Sequence, residues 1–405
     1  MRTAPYFFDT FPKTRRPDYP RFKGDGRATL VIVGGGLTGC ASALACAASG
    51  VRVVLLEADR IGRGMTAGSV GLLRQSFDAS FQETATRHGL RTARHLWAAM
   101  RRASLDFAAA LRRFGIRADL SDQDLLYFTR NGPDAERRLK REYQARRYAG
   151  LDLTWLNKAA LRRESAIDAD GALRTEGMAL DPYRACVGFA AAAEARGAAI
   201  HEGTRVRRIR FGRKSAQVIC ESGTITADTV LIATGSPTDF LGALRRHFTS
   251  SDVYAVVTEQ MPAAVRREAG RRAAALRDTE TPAHVLRWMK EDRVLFAGAD
   301  QLRVASRLRD KAVAQRSMQL MYELSTLYPA ISGLQPAWAW SVAQSESADA
   351  LPVIGPHRNF PHHFFSLGHG RHGAGVAWLT ARVLLRHVTG EPARGDELFG
   401  FARIL

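Results

Sequence analysis

Residues Thr29 to Asp59 read TLVIVGGGLTGCASALACAASGVRVVLLEAD, and that stretch restricts the possible folds more than any other part of the chain. TLVIV has the apolar, β-branched character of a buried strand, GGGLTG is a tight turn, and CASALACAAS is a helix of small residues ended by Gly50. VRVVLLE is a second buried strand, which completes a βαβ unit. The glycines Gly34, Gly36 and Gly39 fit G-x-G-x-x-G. They allow the sharp turn, the approach of a pyrophosphate to backbone N–H groups at a helix N-terminus, and close helix-to-strand packing. Glu57 closes the second strand at the interval, roughly 20 residues, where an acidic side chain accepts the hydroxyls of an adenosine ribose. A glycine-rich turn alone would say little. Strand before, small-residue helix after and acid at the right interval together indicate dinucleotide binding, and Glu in place of a basic residue leaves FAD and NAD as candidates.

The length of 405 residues exceeds what one core usually supports, so two intertwined domains are expected. Alanine-rich segments are interrupted by Arg or Gly before they reach the roughly 18 to 20 apolar residues of a membrane span. The segment MRTAPYFFDTFPKTRRPDYP has no apolar export core, and a cytoplasmic location is expected. Cys40, Cys46, Cys186 and Cys220 are scattered without metal or redox spacing and read as small apolar side chains. The net charge of +19 is spread along the chain, is mostly arginine, and comes with no nucleic-acid-binding motif. That excludes nucleic acid as the expected partner and leaves attraction of a small anion open.

FAD is favoured over NAD by the segments after Glu57. An NAD enzyme continues with further βα units, whereas this chain passes into the glycine-rich RIGRGMTAGSVGLLRQSF and then into RTARHLWAAMRRASLDFAAALRRFG, a long amphipathic helix. Far downstream, TRVRRIRFGRKSAQVICESGTITADTVLIATG holds short strands, a hairpin turn at ESG and an apolar run ending at Gly235. That passage looks like the second nucleotide-contacting strand of FAD-dependent oxidoreductases, with Ala233, Thr234 and Gly235 passing close to the cofactor.

In these motifs and their order the chain resembles the D-amino-acid oxidase superfamily, in the group with glycine oxidase, sarcosine oxidase and γ-glutamylputrescine oxidase. The resemblance covers nearly the whole length. The aromatic and proline-containing arm before the first strand is similar to the γ-glutamylputrescine oxidase branch, and DALPVIGPHRNFPHHFFSLGHGRHGAGVAWLTARVLL resembles the C-terminal flavin segment. The implied fold is α/β, α+β overall, with a Rossmann-like FAD-binding domain interleaved with a mixed-sheet substrate domain. Residues 1–120, 178–250 and 342–405 are assigned to the former, 121–177 and 251–341 to the latter. The implied cofactor contacts are Gly34, Gly36, Leu37, Thr38, Gly39, Glu57, Ala58, Leu73, Val206, Ala233, Thr234, Gly235, Gly368, Gly370, His372 and Gly373.

The stretch SLGHGRHGAG, Ser366 to Gly375, then reads as a flavin cradle: a strand, a glycine-rich turn, and a helix whose N-terminal N–H groups stabilise negative charge on the reduced flavin. A metal site is not expected, since HxxH on such a turn lacks the partners and helical spacing of a zinc site. His362 and His363 read as surface loop. Ser366 stands where sarcosine oxidase-like members have a linking Cys, and TAGSVG lacks the linking His of others, so the FAD is expected to be noncovalent. The family pattern has Gly where this chain has Arg371; solvent or a structural pairing is the preferred reading of that side chain, with the substrate carboxylate and the flavin edge as the alternatives.

The chemistry implied is oxidation of a C–N bond: an amine or amino acid, with or without a carboxylate, loses hydride to flavin N5 and the imine hydrolyses. Such a reaction needs orientation more than an acid or base. Arg74, Arg287 and His372 are the substrate-orienting candidates, and Trp340 reads as a core aromatic. A lysine that sarcosine oxidase-like members keep above the flavin aligns with Leu295, so oxygen of modest reactivity and another acceptor are both open. The alternative to an enzyme is a flavin-binding subunit of a larger electron-transfer complex.

Overall fold

The computed structural model describes residues 1–371 and 373–404. Strand β1 (Gly26–Val33) carries Leu30, Val31 and Ile32 with no exposed surface, as a strand covered on both faces requires. The turn at 34–36 leads into helix α1 (Leu37–Ala47), whose small side chains are almost all buried. Gly50, at φ +79°, reverses the chain into β2 (Val53–Leu56), which pairs parallel with β1 from Leu30 opposite Val53 to Val33 opposite Leu56. The expected βαβ unit is present.

Helix α2 (Leu90–Arg113) buries Leu96, Trp97, Met100, Phe107 and Leu111 at helical spacing and exposes Arg101, Arg102, Arg112 and Arg113. Helix α3 (Pro182–Glu194) starts on Asp181, whose carboxylate accepts the Arg184 N–H at 2.9 Å, and packs on α1. Strand β3 (Gly223–Gly235) flanks β1 on its other side, parallel, with Ile232 opposite Val33. Val206–Phe211 and Ala216–Cys220 extend the sheet beyond β3, and Ala199–His201 extends it beyond β2.

The second sheet contains β4 (Phe248–Thr258), β5 (Ala275–Asp278), β6 (Val285–Met289) and β7 (Arg293–Leu302). Helix α4 (Arg309–Leu327) and strand β8 (Pro336–Ser347) come next in the chain. The strand order is β8-β4-β7-β6-β5, then Leu125–Thr129, Gly171–Thr175 and Thr154–Asn157. Its pairs are antiparallel except β5 with Leu125–Thr129, so the sheet is mixed. Helix α4 covers one face through Val313, Leu320, Leu324 and Leu327. On the other face Ala255, Val257, Leu295, Ala297 and Trp340 cluster with Ala67, Tyr183 and Phe7 of the N-terminal arm.

The chain passes between the sheets in segments 236–247 and 348–352, whereas the expected boundaries at 250/251 and 341/342 fall inside β4 and β8, which pair with each other in the second sheet. It then returns to the first sheet as β9 (Phe360–Leu367), parallel to β3, and as helix α5 (Gly373–Thr389), which packs on α1 and α2. A Cβ at Gly375 would lie 2.4 Å from Met100 Cε, so this glycine sets the approach of α5 to α2. His362 and His363 are not loop residues. Both belong to β9, where His363 is buried between Phe360 and Phe365 and bonds Pro361 O at 2.8 Å. The aromatic residues around them continue the strand, which their polar reading concealed. Among the described residues no helix is long and apolar enough to cross a membrane.

Candidate active site

A cavity of about 350 Å3 opens where the C-terminal ends of β1 and β3 meet the face of the second sheet. One half is the dinucleotide turn. Gly34 has φ +112°, and a Cβ there would stand 2.7 Å from the Ala233 carbonyl oxygen. A Cβ on Gly39 would sit 1.9 Å from the carbonyl oxygen of Gly34. These two glycines therefore serve contacts between chain segments. Gly34 and Gly36 both line the cavity, but Gly36 differs in its surroundings: the nearest atom to its added Cβ is Thr66 Oγ1 at 3.4 Å. It also begins α1 with no side chain of its own to cap it, so N–H groups of the first turn other than that of Leu37, which Thr66 takes, are open to an anion.

Glu57 and Ala58 line the same half. Glu57 accepts the N–H of Gly35 at 2.7 Å and that of Asp59 at 2.8 Å, which pins the carboxylate to the turn. Burial pushes its carboxyl above the ordinary range, against the pull of these two bonds. Two acceptor bonds leave lone pairs for ribose hydroxyls. Leu37, Thr38, Val206, Ala233, Thr234 and Gly235 also face the cavity.

The other half is apolar on one side. Val253, Ala255, Ala297 and Val342 of the second sheet face the loop Met65–Val70 and the C-terminal turn at His369, Gly370, Arg371, Gly373 and Ala374. Gly370 holds φ +53°, and a Cβ on Gly373 would meet nothing within 4 Å. From β7 it is Ala297 that reaches the cavity, whereas Leu295 is fully buried in the adjacent core. Trp340 is a core residue whose Nε1 donates to Gly68 O at 3.1 Å and steadies the loop.

Arg371 lines the cavity and is held in place from three directions. Its guanidinium pairs with Asp300, Nη1 donates to Ala283 O at 2.8 Å, and its backbone N–H donates to Asp78 at 3.3 Å. Gln344, also in the wall, donates to Asp300 at 3.4 Å. Behind this group Asp78 lies between Arg74 at 3.2 Å and Arg277 at 3.1 Å.

The arginines expected at the substrate are placed elsewhere. Arg74 is buried outside the cavity wall, where it pairs with Asp78 and donates to the Arg371 carbonyl at 3.4 Å; burial brings its guanidinium down to about 10. Arg287 also lies outside the wall. Its Nη1 donates to the carbonyls of Val70, Gly71 and Leu180 at 2.9, 3.0 and 2.7 Å, and burial brings it down to about 10. It ties the cavity loop to the start of α3. Gly39, Leu73 and Gly368 are likewise outside the wall; Leu73 is fully buried, and a Cβ on Gly368 would press on the Phe248 ring at 2.8 Å. His372 lies outside the described residues. Ser366 Oγ is engaged with His369 Nε2 at 2.8 Å and Thr380 Oγ1 at 2.6 Å.

Three contributors were missed in the sequence. Thr66 accepts the Leu37 N–H at 2.9 Å and joins the loop to the head of α1; its only signal was its place in a glycine-rich loop. Gln344 and Asp300 sit on strands whose polar residues carried no motif. The cavity fits a flavin dinucleotide on three counts: a helix start whose N-terminal glycine provides no capping side chain, glycine positions that open onto space, and a carboxylate fixed at the end of β2.

Comparison with known proteins bears directly on that fit. The family model described as FAD dependent oxidoreductase matches residues 29–386. The chain belongs to this family. As a member it is an FAD-dependent oxidoreductase, and it is 25% identical over 374 residues to the γ-glutamylputrescine oxidoreductase of Escherichia coli, covering 91% of this chain and 85% of that protein. It is 28% identical over 368 residues to the glycine oxidase of Geobacillus kaustophilus, covering 88% of this chain and 92% of the other. The crystal structure of a glycine oxidase from that organism superposes with a TM-score of 0.76 at 21% identity, covering 91% of this chain and 96% of its own. L-proline dehydrogenase from P. horikoshii superposes with a TM-score of 0.74 at 18% identity, covering 94% and 97%. These superpositions establish the shared fold of this FAD-dependent oxidoreductase.

Proposed function

We propose that the chain oxidises the C–N bond of an amine that carries a carboxylate. The observation that carries this reading is Arg371, a residue of the cavity wall held by Asp300, in a chamber lined on its other side by Val253, Ala255, Ala297 and Val342 with Gln344. An apolar wall with one oriented fork suits a small molecule with an aliphatic body and one carboxylate end. The relatives named for glycine and for γ-glutamylputrescine support an amine as the reacting group.

Bound FAD supplies the hydride acceptor. The protein's part is placement: Gly34, Gly36 and the start of α1 hold the pyrophosphate, Glu57 the ribose, and the start of α5 faces the pyrimidine edge, where its N–H groups favour negative charge. The apolar wall excludes water from the uncharged amine. Ser366, occupied by His369 and Thr380, offers no linking thiol, and the FAD is held noncovalently. The first sheet with its helices is the FAD-binding unit and the second sheet the substrate unit.

The test is anaerobic addition of primary and secondary amines, with and without a carboxylate, to the yellow holoprotein. Bleaching by carboxylated amines at lower concentration than by their decarboxylated analogues supports the proposal. Failure of every amine to bleach the flavin favours an electron-transfer subunit.

A further inference from the structure

Arg371 projects from a turn whose glycines have positive φ, so nothing in that turn holds a long side chain in one rotamer. Its direction is fixed by Asp300 of β7 and by the carbonyl of Ala283, in the 279–284 turn between β5 and β6. That turn is itself clamped at one residue. The His284 N–H donates to Asp278 Oδ1 at 2.8 Å, and its ring Nδ1 lies 2.7 Å from Asp278 Oδ2. Nε2 lies 3.0 Å from Glu323 Oε2 on α4. The ring stacks on Phe296 with centroids 5.3 Å apart and planes 7° from parallel, and a Cβ on Gly298 would fall 2.5 Å from its Cδ2. Both ring nitrogens face a carboxylate, which only an imidazolium satisfies with two donors.

We propose that His284 is a positioning residue for Arg371: as a cation bridging Asp278 and Glu323, it sets the Ala283 carbonyl that accepts from the guanidinium at the cavity wall. The inference rests on the reading of Arg371 as the carboxylate fork.

The surrounding charges give this a pH dependence. Asp278 faces the ring from the turn, where it also accepts the Glu280 N–H while the Glu280 carboxylate is bonded to Asn131, and Glu323 faces it from α4, where Gln319 donates to it at 2.9 Å and Arg316 donates to Gln319. On the other side Arg371 is paired with Asp300. Burial opposes the charged ring, but the bonds and charges of Asp278 and Glu323 outweigh it and hold the imidazolium above its ordinary value of 6.5. Below that raised value both bridges stand. As pH rises through it, one ring nitrogen turns a lone pair on a carboxylate and the clamp loosens.

Acetate is a suitable probe, being ionised throughout pH 6 to 9, and its binding is read from the flavin absorption band of the holoprotein. Ring NMR of His284, assigned by loss of the signal in His284→Gln, gives the titration separately. Acetate affinity should fall about tenfold as the ring deprotonates, the scale of one charge-assisted bond. In Glu323→Gln the ring titration and the affinity limb should both move to lower pH, and in His284→Gln the limb should disappear. A limb that persists in His284→Gln, a ring that shifts in Glu323→Gln without the limb, or no acetate binding at any pH overturns the proposal. Amine-driven bleaching with no such limb leaves the amine reading standing while this one falls. A limb without any amine oxidation does the reverse.

Discussion

Gly36 and Gly39 give a sharp pair of substitutions, because one methyl group at each should do opposite things. In a helix interior Gly→Ala gains about 1 kcal/mol of stability from backbone entropy. At Gly39 that gain meets a clash: the new Cβ would lie 1.9 Å from the Gly34 carbonyl oxygen and 3.3 Å from Ile32 Cγ2. The partner at 1.9 Å is backbone in the turn itself, so α1 must lift from β1 by about 1 Å, and overpacking of that kind costs about 3 kcal/mol. The net loss is about 2 kcal/mol, a few degrees in Tm for a chain of this size. At Gly36 the nearest atom is Thr66 Oγ1 at 3.4 Å, ordinary contact, and the φ of −76° is open to alanine. The apoprotein should then keep its Tm, while the methyl group occupies the face of the turn that must receive the pyrophosphate. An affinity loss of at least about tenfold, or about 1.4 kcal/mol, is expected. Thermal unfolding of the two apoproteins and titration with FAD followed by fluorescence quenching measure both effects. Equal loss of apoprotein stability in the two variants, or normal FAD affinity in Gly36→Ala, would refute the division of labour assigned to these glycines.

The same geometry sets other outcomes. Asp181, at the start of α3, is raised to about 6 from 3.8 by burial. Its contribution is therefore fully present below 3.8 and lost as pH rises through about 6. Asp181→Asn, which keeps a capping oxygen, should be about 1 to 2 kcal/mol more stable than wild type at pH 7.5 and equal to it near pH 4, as measured by urea unfolding; a gain that grows on acidification would show the sign to be wrong. Arg287→Met should lower stability by about 3 kcal/mol, because three carbonyls lose their donor, without selectively raising KM for carboxylated amines. A selective KM effect with intact stability would return Arg287 to the substrate. Acid precipitation of the holoprotein should leave the flavin in the supernatant, and a yellow pellet would contradict noncovalent binding.

The βαβ unit was legible because periodicity, turn chemistry and helix termination all pointed the same way over one short segment. The position of β3 beside β1 was legible for a similar reason, an apolar run closed by Gly235 where only a buried parallel strand fits. The sheet-to-sheet crossings were not. The chain crosses in 236–247 and 348–352, and the first residues of β4 and the last of β8 are mostly polar and read as loop, so the expected boundaries at 250/251 and 341/342 fall inside strands of the second sheet. His363 was misplaced because a polar name outweighed its aromatic neighbours, although the strand buries it among Phe360 and Phe365.

For the site, the dinucleotide half could be read and the substrate half could not, and the difference is physical. Pyrophosphate recognition is made by backbone, so it leaves glycines at fixed spacing that any single sequence displays. A substrate fork needs one long side chain, and in a chain so rich in arginine its chemistry is common while its position is not. On paper Arg74 and Arg287 are the arginine candidates, and Arg371 reads first as solvent-facing or structurally paired. Only the fold separates them: Arg287 commits a nitrogen to three carbonyls, Arg74 pairs with Asp78 behind the turn, and Arg371 alone of the three reaches the cavity wall. What made that possible is the pair of left-handed glycines at 368 and 370, which turn the chain so that the next residue faces the second sheet and meets Asp300. The same glycine-rich turn that marked the cofactor site therefore also carries the arginine proposed for the substrate, and its partners on β7 and the 279–284 turn decide where that side chain points.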